Sequence, residues 1–204
     1  MANISEKKLE MKVVILGCSC SGKTSIIRRY IENTFDDNSP ATHGASYSQK
    51  KINIKDKSIN LHIWDTPGES NFLRLNIPFM IDADAIILVY NLAWKSDLEN
   101  LKDYWNTIIK KNSPKESSKK NLFKINIVKI LVGAQEDRYI DEEIYEDEGK
   151  EFAKKINVLF KLVSSSNGTG INDLFETIVI EYLKKLEEIE GNKILSILKE
   201  YFNY

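Results

Sequence analysis

The sequence predicts an α/β fold built on a mostly parallel six-stranded sheet, with one antiparallel edge and helices on both faces. Short apolar runs alternate along the chain with stretches of helical periodicity, the pattern of strands buried between two helical layers. Residues 55–58 join two of these runs and are short enough for a hairpin, which predicts the antiparallel edge. The first apolar run, 13–16, leads directly into a loop containing two glycines and then into a helical pattern, as strand–loop–helix units of such sheets do.

Each element follows from the spacing of its apolar residues. Continuous or alternating apolar runs predict strands at residues 11–16, 45–54, 59–65, 85–90, 125–132 and 158–163. Apolar residues that recur every three or four positions predict helices at 23–32, 97–111, 141–156 and 171–190, and a further amphipathic helix at 193–203 after Gly191. We therefore expect an N-terminal tail at 1–10, one domain at 11–190 and a C-terminal amphipathic extension or linker helix at 191–204.

Composition and charge narrow the class of protein. The 204 residues carry a formal net charge of −1, which gives no basis for bulk attraction to nucleic acid or anionic lipid. No run of about 18 apolar residues occurs, and the N-terminus lacks the apolar region of a signal peptide, so we expect a cytoplasmic protein. Cys18 and Cys20 are the only cysteines. They are interpreted as loop residues in a reducing compartment, with a metal-binding or redox Cys-x-Cys pair as the alternative.

Residues 17–24 read Gly-Cys-Ser-Cys-Ser-Gly-Lys-Thr and match the phosphate-binding pattern G-x-x-x-x-G-K-[ST]. Because the loop leaves a strand and opens a helix, its backbone N–H groups and the helix dipole are expected to face one polyphosphate. Lys23 would then reach the β- and γ-phosphates, and the Thr24 hydroxyl would bind Mg²⁺. The nucleotide contacts expected from this segment are Ser19, Cys20, Ser21, Gly22, Lys23, Thr24 and Ser25.

A second candidate segment, Ile63-Trp64-Asp65-Thr66-Pro67-Gly68-Glu69, places an acidic residue at a strand end before a glycine turn. Phosphate-loop NTPases need such a carboxylate for their metal, so Asp65 is expected to hold Mg²⁺ through a water. The N–H of Gly68 is expected to face the γ-phosphate, because nothing projects from its Cα.

With these motifs the chain resembles a Ras-superfamily small GTPase, and a Rab in particular, over residues 11 to about 190. Thr42 resembles the first-switch threonine, which in the family binds Mg²⁺ and the γ-phosphate in the GTP state. Phe35 matches the aromatic residue that packs on the guanine edge. Trp64-Asp65-Thr66, Phe72 and residues 85–91 resemble the second switch of Rabs and the strand that follows it. The resemblance implies a phosphate-loop G domain that binds GTP and GDP with Mg²⁺ and regulates vesicle traffic.

Base recognition departs from the family pattern. The motif Asn-Lys-x-Asp stands here as Ala134-Gln135-Glu136-Asp137. Asp137 can still accept bonds from N1–H and the exocyclic amine of guanine, which adenine cannot offer. Ala134 removes a side chain that in the family ties this loop to the phosphate loop, which we expect to weaken binding. Ser164, Ser165 and Ser166 resemble the loop whose backbone amide reads the guanine O6.

The residues that resemble the catalytic set are Lys23, Thr42, Gly68 and Glu69. In most family members a glutamine stands at the position of Glu69 and orients the attacking water. A carboxylate there cannot donate a hydrogen bond and adds negative charge beside the γ-phosphate, so slow hydrolysis is expected. Two alternatives remain open: a pseudo-GTPase scaffold with little turnover, and an ATP-using kinase of the same loop class.

The resemblance also implies protein partners. Tyr47, Trp64 and Phe79 fall where Rabs carry an aromatic triad that contacts effectors, and the two switches would meet exchange factors and GTPase-activating proteins. Rabs end in prenylated cysteines, whereas no cysteine follows Cys20 here. We therefore expect no direct lipid anchor in this chain. It would reach endomembranes through a partner or be followed by a further domain. The apolar stripe within 194–202 would pack back onto the domain, or it would contact a second domain or a partner.

Overall fold

The computed structural model describes residues 9–54, 56–68, 76–106, 127–135 and 146–202, and of residues 192–202 only the backbone. Six strands and five helices alternate in this part of the chain. In chain order they are β1 (Leu9–Gly17), α1 (Lys23–Glu32), β2 (Ser46–Ile54), β3 (Lys57–Asp65), α2 (Ile77–Met80), β4 (Ala85–Asn91), α3 (Lys95–Tyr104), β5 (Val128–Ala134), α4 (Glu146–Lys155), β6 (Leu159–Val163) and α5 (Ile171–Phe202).

The six strands form one sheet in the order β2-β3-β1-β4-β5-β6. Only the β2–β3 pair is antiparallel, with Ile54 opposite Lys57 at its tight turn, whereas β1 pairs in parallel with β3 and β4. The predicted sheet and its antiparallel edge are thus confirmed. All seven residues of β4 are buried, as expected for a strand covered on both faces.

Alternation along the strands divides the core into two layers. Val13 and Ile15 of β1 point to a layer that contains Ile26 of α1 and Phe175 of α5. On the other face, the layer that includes Val14 and Leu16 of β1 is completed by α2, α3 and α4; its helical members include Met80, Leu98, Leu101 and Phe152. Because successive strand residues point to opposite faces, one apolar strand supplies both layers and holds the loop that follows it in a fixed position.

The C-terminal helix differs from the prediction. Separate helices at 171–190 and 193–203 were expected, but α5 runs without a break from Ile171 to Phe202 and passes through Gly191. A glycine costs a helix interior only about 1 kcal/mol relative to alanine, and its position has open space around it. Packing of Leu174, Phe175 and Val179 fixes the helix upstream. The side chains of the predicted apolar stripe at 194–202 lie outside the described ones.

Other boundaries moved by a few residues, which is the usual uncertainty of a helix or strand end. Strand β1 begins at Leu9 and β5 at Val128, and the short helix α2 was not predicted. The sequence feature that could have indicated α2 is Pro78, because proline is favourable in the first turn of a helix. Residues 1–8, 107–111, 125–126 and 141–145 lie outside the described residues. They belong to the predicted tail, to the predicted helices at 97–111 and 141–156, and to the predicted strand at 125–132. Phe72 also lies outside the described residues.

No helix in the described part of the chain combines the length and the apolar character that a membrane span requires.

Candidate nucleotide-binding site

A cavity of about 290 Å³ opens at the carboxyl end of the sheet, where ligands bind in open α/β sheets. Its wall includes thirteen of the predicted site residues: Ser19, Cys20, Gly22, Lys23, Thr24, Ser25, Phe35, Thr42, Gly68, Ala134, Gln135, Ser165 and Ser166. Ser21, Ser164 and Asp65 are buried and do not line it. Glu69 and Asp137 lie outside the described residues.

The phosphate loop closes around the side chain of Lys23. The ammonium Nζ donates to the carbonyl oxygens of Gly17 at 3.0 Å and Cys18 at 2.6 Å. Gly22 has φ 95°, a conformation that favours glycine, and α1 begins at the next residue. Burial lowers the pKa of Lys23, while the Asp65 carboxylate nearby opposes that shift. A buried ammonium at a helix N-terminus makes this end of the cavity favourable for an anion.

Three oxygen-bearing side chains from separate segments meet beside the loop. The Thr24 hydroxyl donates to Asp65 Oδ2 at 2.6 Å and lies 2.7 Å from the Thr42 hydroxyl, so Thr42 donates to Thr24. The second carboxylate oxygen, Asp65 Oδ1, is buried without a hydrogen-bond partner. Burial raises the pKa of Asp65. Oxygen donors and a buried carboxylate atom that lacks a partner fit Mg²⁺, a cation that prefers oxygen ligands.

The turn at Gly68 lies against the phosphate loop. A Cβ at this position would fall 2.4 Å from the Ser19 nitrogen and 2.5 Å from the Cys18 carbonyl oxygen, so only glycine allows the approach. The Thr66 hydroxyl donates to Ile15 O at 2.7 Å, and the buried Asn76 amide donates to Pro67 O at 3.2 Å. These two bonds hold the turn at its position, and sequence reasoning had identified neither.

The base end of the cavity is built from three distant segments. Phe35 stands at the wall and is 38% exposed. Ala134 at the end of β5 is buried, and its Cβ lies 3.5 Å from where a Cβ on Gly22 would be. Gln135 has φ 70°, and its Oε1 is buried without a hydrogen-bond partner. This end therefore lacks a side-chain bond from position 134 to the phosphate loop, as the sequence predicted.

The two cysteines of the loop have different surroundings. The Cys18 thiol is partly buried and points to the Asp97 carbonyl oxygen at 4.0 Å. Its burial, reinforced by the Asp97 charge, raises the pKa of Cys18 to about 11. Cys20 is exposed, has φ 59° and lines the cavity. Because thiolate is the reactive form of cysteine, Cys18 is protected at neutral pH.

The predicted aromatic triad is brought together on the sheet surface. Trp64 lies between the other two rings, 5.3 Å from Tyr47 and 5.6 Å from Phe79, centroid to centroid, in tilted contacts. Tyr47 is 47% exposed. Its hydroxyl bonds to His62 Nδ1 at 2.6 Å, and His62 Nε2 bonds to Glu10 at 2.5 Å. The triad is thus a partly exposed aromatic surface with a fixed Tyr47 ring.

Several residues of the site were missed by sequence reasoning. Asn91 and Trp94 line the cavity. They could have been expected there because they follow the carboxyl end of a predicted strand, where ligands bind in such sheets. Arg29 of α1 bonds to the carbonyls of Ser165 and Ser166. No local pattern indicates this contact, because its partners are 136 and 137 positions away along the chain.

Comparison with known proteins identifies the family. The model of the Ras family matches residues 12–184. Ras-related protein Rab-18 of Lymnaea stagnalis is 33% identical over 169 residues, covering 83% of this chain and 78% of that protein. Ras-related protein Rab7 of Cenchrus ciliaris is 30% identical over 191 residues, covering 91% of this chain and 88% of its own. The chain therefore belongs to the Ras family, as a Rab-like small GTPase of the Ras superfamily with the phosphate-loop G-domain fold.

Proposed function

We propose that this Rab-like GTPase is a guanine-nucleotide-dependent switch that binds GTP and GDP with Mg²⁺, hydrolyses GTP slowly and regulates vesicle traffic. The observation that supports this most is the convergence of Thr42 and Asp65 on Thr24, whose hydroxyl lies 2.7 Å from the Thr42 hydroxyl and 2.6 Å from Asp65 Oδ2. Thr42 comes from the segment between α1 and β2, and Gly68 lies against the loop at Cys18 and Ser19. Both candidate switches therefore meet at the end of the cavity where a γ-phosphate would bind.

Each residue of the site has a distinct role in this proposal. Lys23 and the loop amides bind the phosphates, while the Thr42 hydroxyl and the Gly68 N–H hold the two switches in place through the γ-phosphate. Thr24, Thr42 and Asp65 would hold Mg²⁺, which offsets negative charge on the phosphates when bound. Loss of the γ-phosphate removes the contacts that bind Thr42 and Gly68, and this releases both switches.

Slow hydrolysis rests on Glu69. Its carboxylate stands in place of the water-orienting glutamine of most family members and is unable to donate a hydrogen bond when ionised. It also adds negative charge beside an anionic γ-phosphate. Both effects reduce turnover. Phosphoryl transfer of this kind depends on positioning and charge stabilisation and needs no proton transfer by the protein.

Guanine specificity rests on Asp137, and on the backbone of Ser164, Ser165 and Ser166. Ala134 lacks the side chain that would tie the base loop to the phosphate loop. A missing buried hydrogen bond costs about 1–3 kcal/mol, which corresponds to roughly 5- to 150-fold weaker nucleotide binding. We therefore propose a switch that exchanges nucleotide faster than is usual for its family.

The role in traffic rests on the triad. Tyr47, Trp64 and Phe79 offer a partly exposed aromatic surface next to the switches, and aromatic residues are enriched in protein interfaces. We propose that effectors bind there, that exchange factors and GTPase-activating proteins contact the switches, and that partners bring the chain to endomembranes.

A pseudo-GTPase scaffold is the second candidate. The buried methyl group of Ala134, where the family has an amide, favours it, because such a protein would bind nucleotide weakly and turn over little. The two candidates differ in turnover, and this is directly measurable.

One experiment separates the candidates. Nucleotide is released from freshly purified protein and identified by chromatography, and loaded GTP is then followed for hours with Mg²⁺. Recovered GDP and slow GTP loss are the expected results. Glu69→Gln should raise turnover and Glu69→Asp, which keeps the charge, should not. An empty protein, or bound GTP that is never hydrolysed, would favour the scaffold, and a preference for ATP would contradict both.

A further inference from the structure

Arg29 joins the end of α1 to the loop at residues 164–166, beside the base end of the cavity. Its Nε donates to Ser165 O and its Nη2 to Ser166 O, each at 2.6 Å. Its Nη1 donates to Asn33 O at 3.0 Å. A single side chain of α1 therefore binds both the Ser164–Ser166 loop and the residue that ends its own helix.

The bonds to the carbonyls orient the amides of the loop. A trans peptide unit is planar and its C=O and N–H groups point in opposite directions. When Arg29 binds the carbonyl of Ser165, the N–H of Ser166 in the same peptide unit is directed away from the guanidinium. Both serines line the cavity and Arg29 does not, so an N–H that points away from the guanidinium is directed to the cavity side of the loop.

The bond to Asn33 acts on the segment that leads to Phe35. Asn33 has φ 55°, and its N–H bonds back to Arg29 O at 3.1 Å, which ends α1. Phe35, two residues later, stands at the cavity wall. The same guanidinium thus fixes the point from which the chain leaves α1 toward Phe35.

This geometry requires arginine. A guanidinium presents donors in a rigid planar fork, so it can bind two adjacent carbonyls and a third at once. A lysine ammonium is a single point charge on a flexible stem and cannot reproduce that arrangement. The three bonds are assisted by the charge of the donor, which makes them stronger than bonds between neutral groups.

We propose that Arg29 is a positioning residue for base recognition, which directs the Ser166 amide at the 6-oxo group of guanine and thereby sets how long the nucleotide stays bound. The inference rests on the proposed function, since it assigns a determinant of guanine affinity within that same site. Arg29 does not line the cavity, so its effect is transmitted through Ser165, Ser166 and Asn33.

The test compares two nucleotides in Arg29→Lys. Release of GDP with Mg²⁺ present is expected to be about 10- to 100-fold faster than in the wild type, as for the loss of one charge-assisted hydrogen bond. The preference for GDP over 2-aminopurine riboside diphosphate, which lacks the 6-oxo group, should fall by a similar factor. Affinity for magnesium pyrophosphate, which has no base, should stay within about twofold.

Arg28→Lys is the matched control. Arg28 is the neighbouring arginine on α1, and its guanidinium binds Ser39 Oγ at 2.5 Å and lies 3.7 Å from Asp36, with no bond to the Ser164–Ser166 loop. Its variant should keep the wild-type preference for the 6-oxo group. If Arg29→Lys fails to fold, Arg29→Gln, which keeps one amide donor group, gives the same readout.

Two outcomes would overturn the inference alone. One is an Arg29→Lys protein with the wild-type release rate and preference. The other is equal weakening of both nucleotides and pyrophosphate, which would mean that Arg29 only stabilises the fold. A wild-type protein with no measurable guanine-nucleotide binding would instead overturn the proposed function, and this inference with it.

Discussion

The phosphate end and the base end of the cavity are constructed differently. The phosphate end comes mainly from residues 17–24, and the Thr24 hydroxyl within it bonds to both Thr42 and Asp65. The base end is assembled from segments near Phe35, Ala134 and Ser165, and it leaves Gln135 Oε1 buried without a partner. This comparison shows that phosphate binding depends on a strict residue pattern within one short segment. The base end, by contrast, still forms the cavity wall although a side-chain contact is missing.

The largest effect is expected at the phosphate end, from Lys23→Ala. Loss of the buried ammonium removes charge-assisted bonds to the phosphates, each contributing about 1.5–3 kcal/mol. Affinity for GDP should fall by at least about 100-fold, measured by equilibrium titration with a fluorescent GDP analogue. Lys184→Ala is the control, because Lys184 is exposed and paired with Glu181 on α5. Equal affinities of the two variants would remove Lys23 from the site.

A smaller effect is expected at the base end, from Ala134→Asn. The new amide restores a hydrogen-bonding group beside Gly22 and should slow GDP release by about 5- to 150-fold, in a displacement experiment with excess unlabelled nucleotide. Ala134→Val adds volume without a hydrogen bond and serves as the matched control. Unchanged release in Ala134→Asn would mean that the two ends are coupled by other contacts.

The smallest effect is expected behind the phosphate loop, from Asp97→Asn. Asp97 is buried in the first turn of α3, and its Oδ2 accepts the Asn91 N–H at 3.1 Å. Burial raises the pKa of Asp97, so its contribution to stability is greatest below the unfolded pKa of about 4 and is lost as pH rises through the folded value. The stability of the Asp97→Asn variant relative to the wild type should therefore be higher at pH 7.5 than at acidic pH.

Urea unfolding at several pH values checks this prediction. The stability difference between Asp97→Asn and the wild type should shrink as pH falls, because protonation of Asp97 makes the two side chains alike in charge. Asp103→Asn on the exposed side of the same helix is the control. A difference that stays constant with pH would show that geometry at Asn91, rather than charge, decides the effect.

Much of the fold and of the phosphate end could be predicted because the signals are local. Residues 17–24 combine a strand end, a glycine loop and a helix start, so their chemistry and their placement coincide. Strand β4 could be recognised from its run of apolar residues at 85–90, and all seven of its residues are buried. The end of α5 could not, because the glycine at 191 indicates a break in isolation but is tolerated once packing fixes the helix.

Residue type and short-range spacing were enough to establish the alternation of strands and helices, the phosphate loop and the altered base motif. The folded structure was needed to show which distant backbone carbonyls the side chains contact: Cys18 points to the carbonyl of Asp97, and Arg29 binds two carbonyls more than a hundred positions away. The physical reason is that backbone carbonyls carry no residue identity. A contact made to them leaves no pattern in the sequence and arises from the packing of α1 beside the Ser164–Ser166 loop.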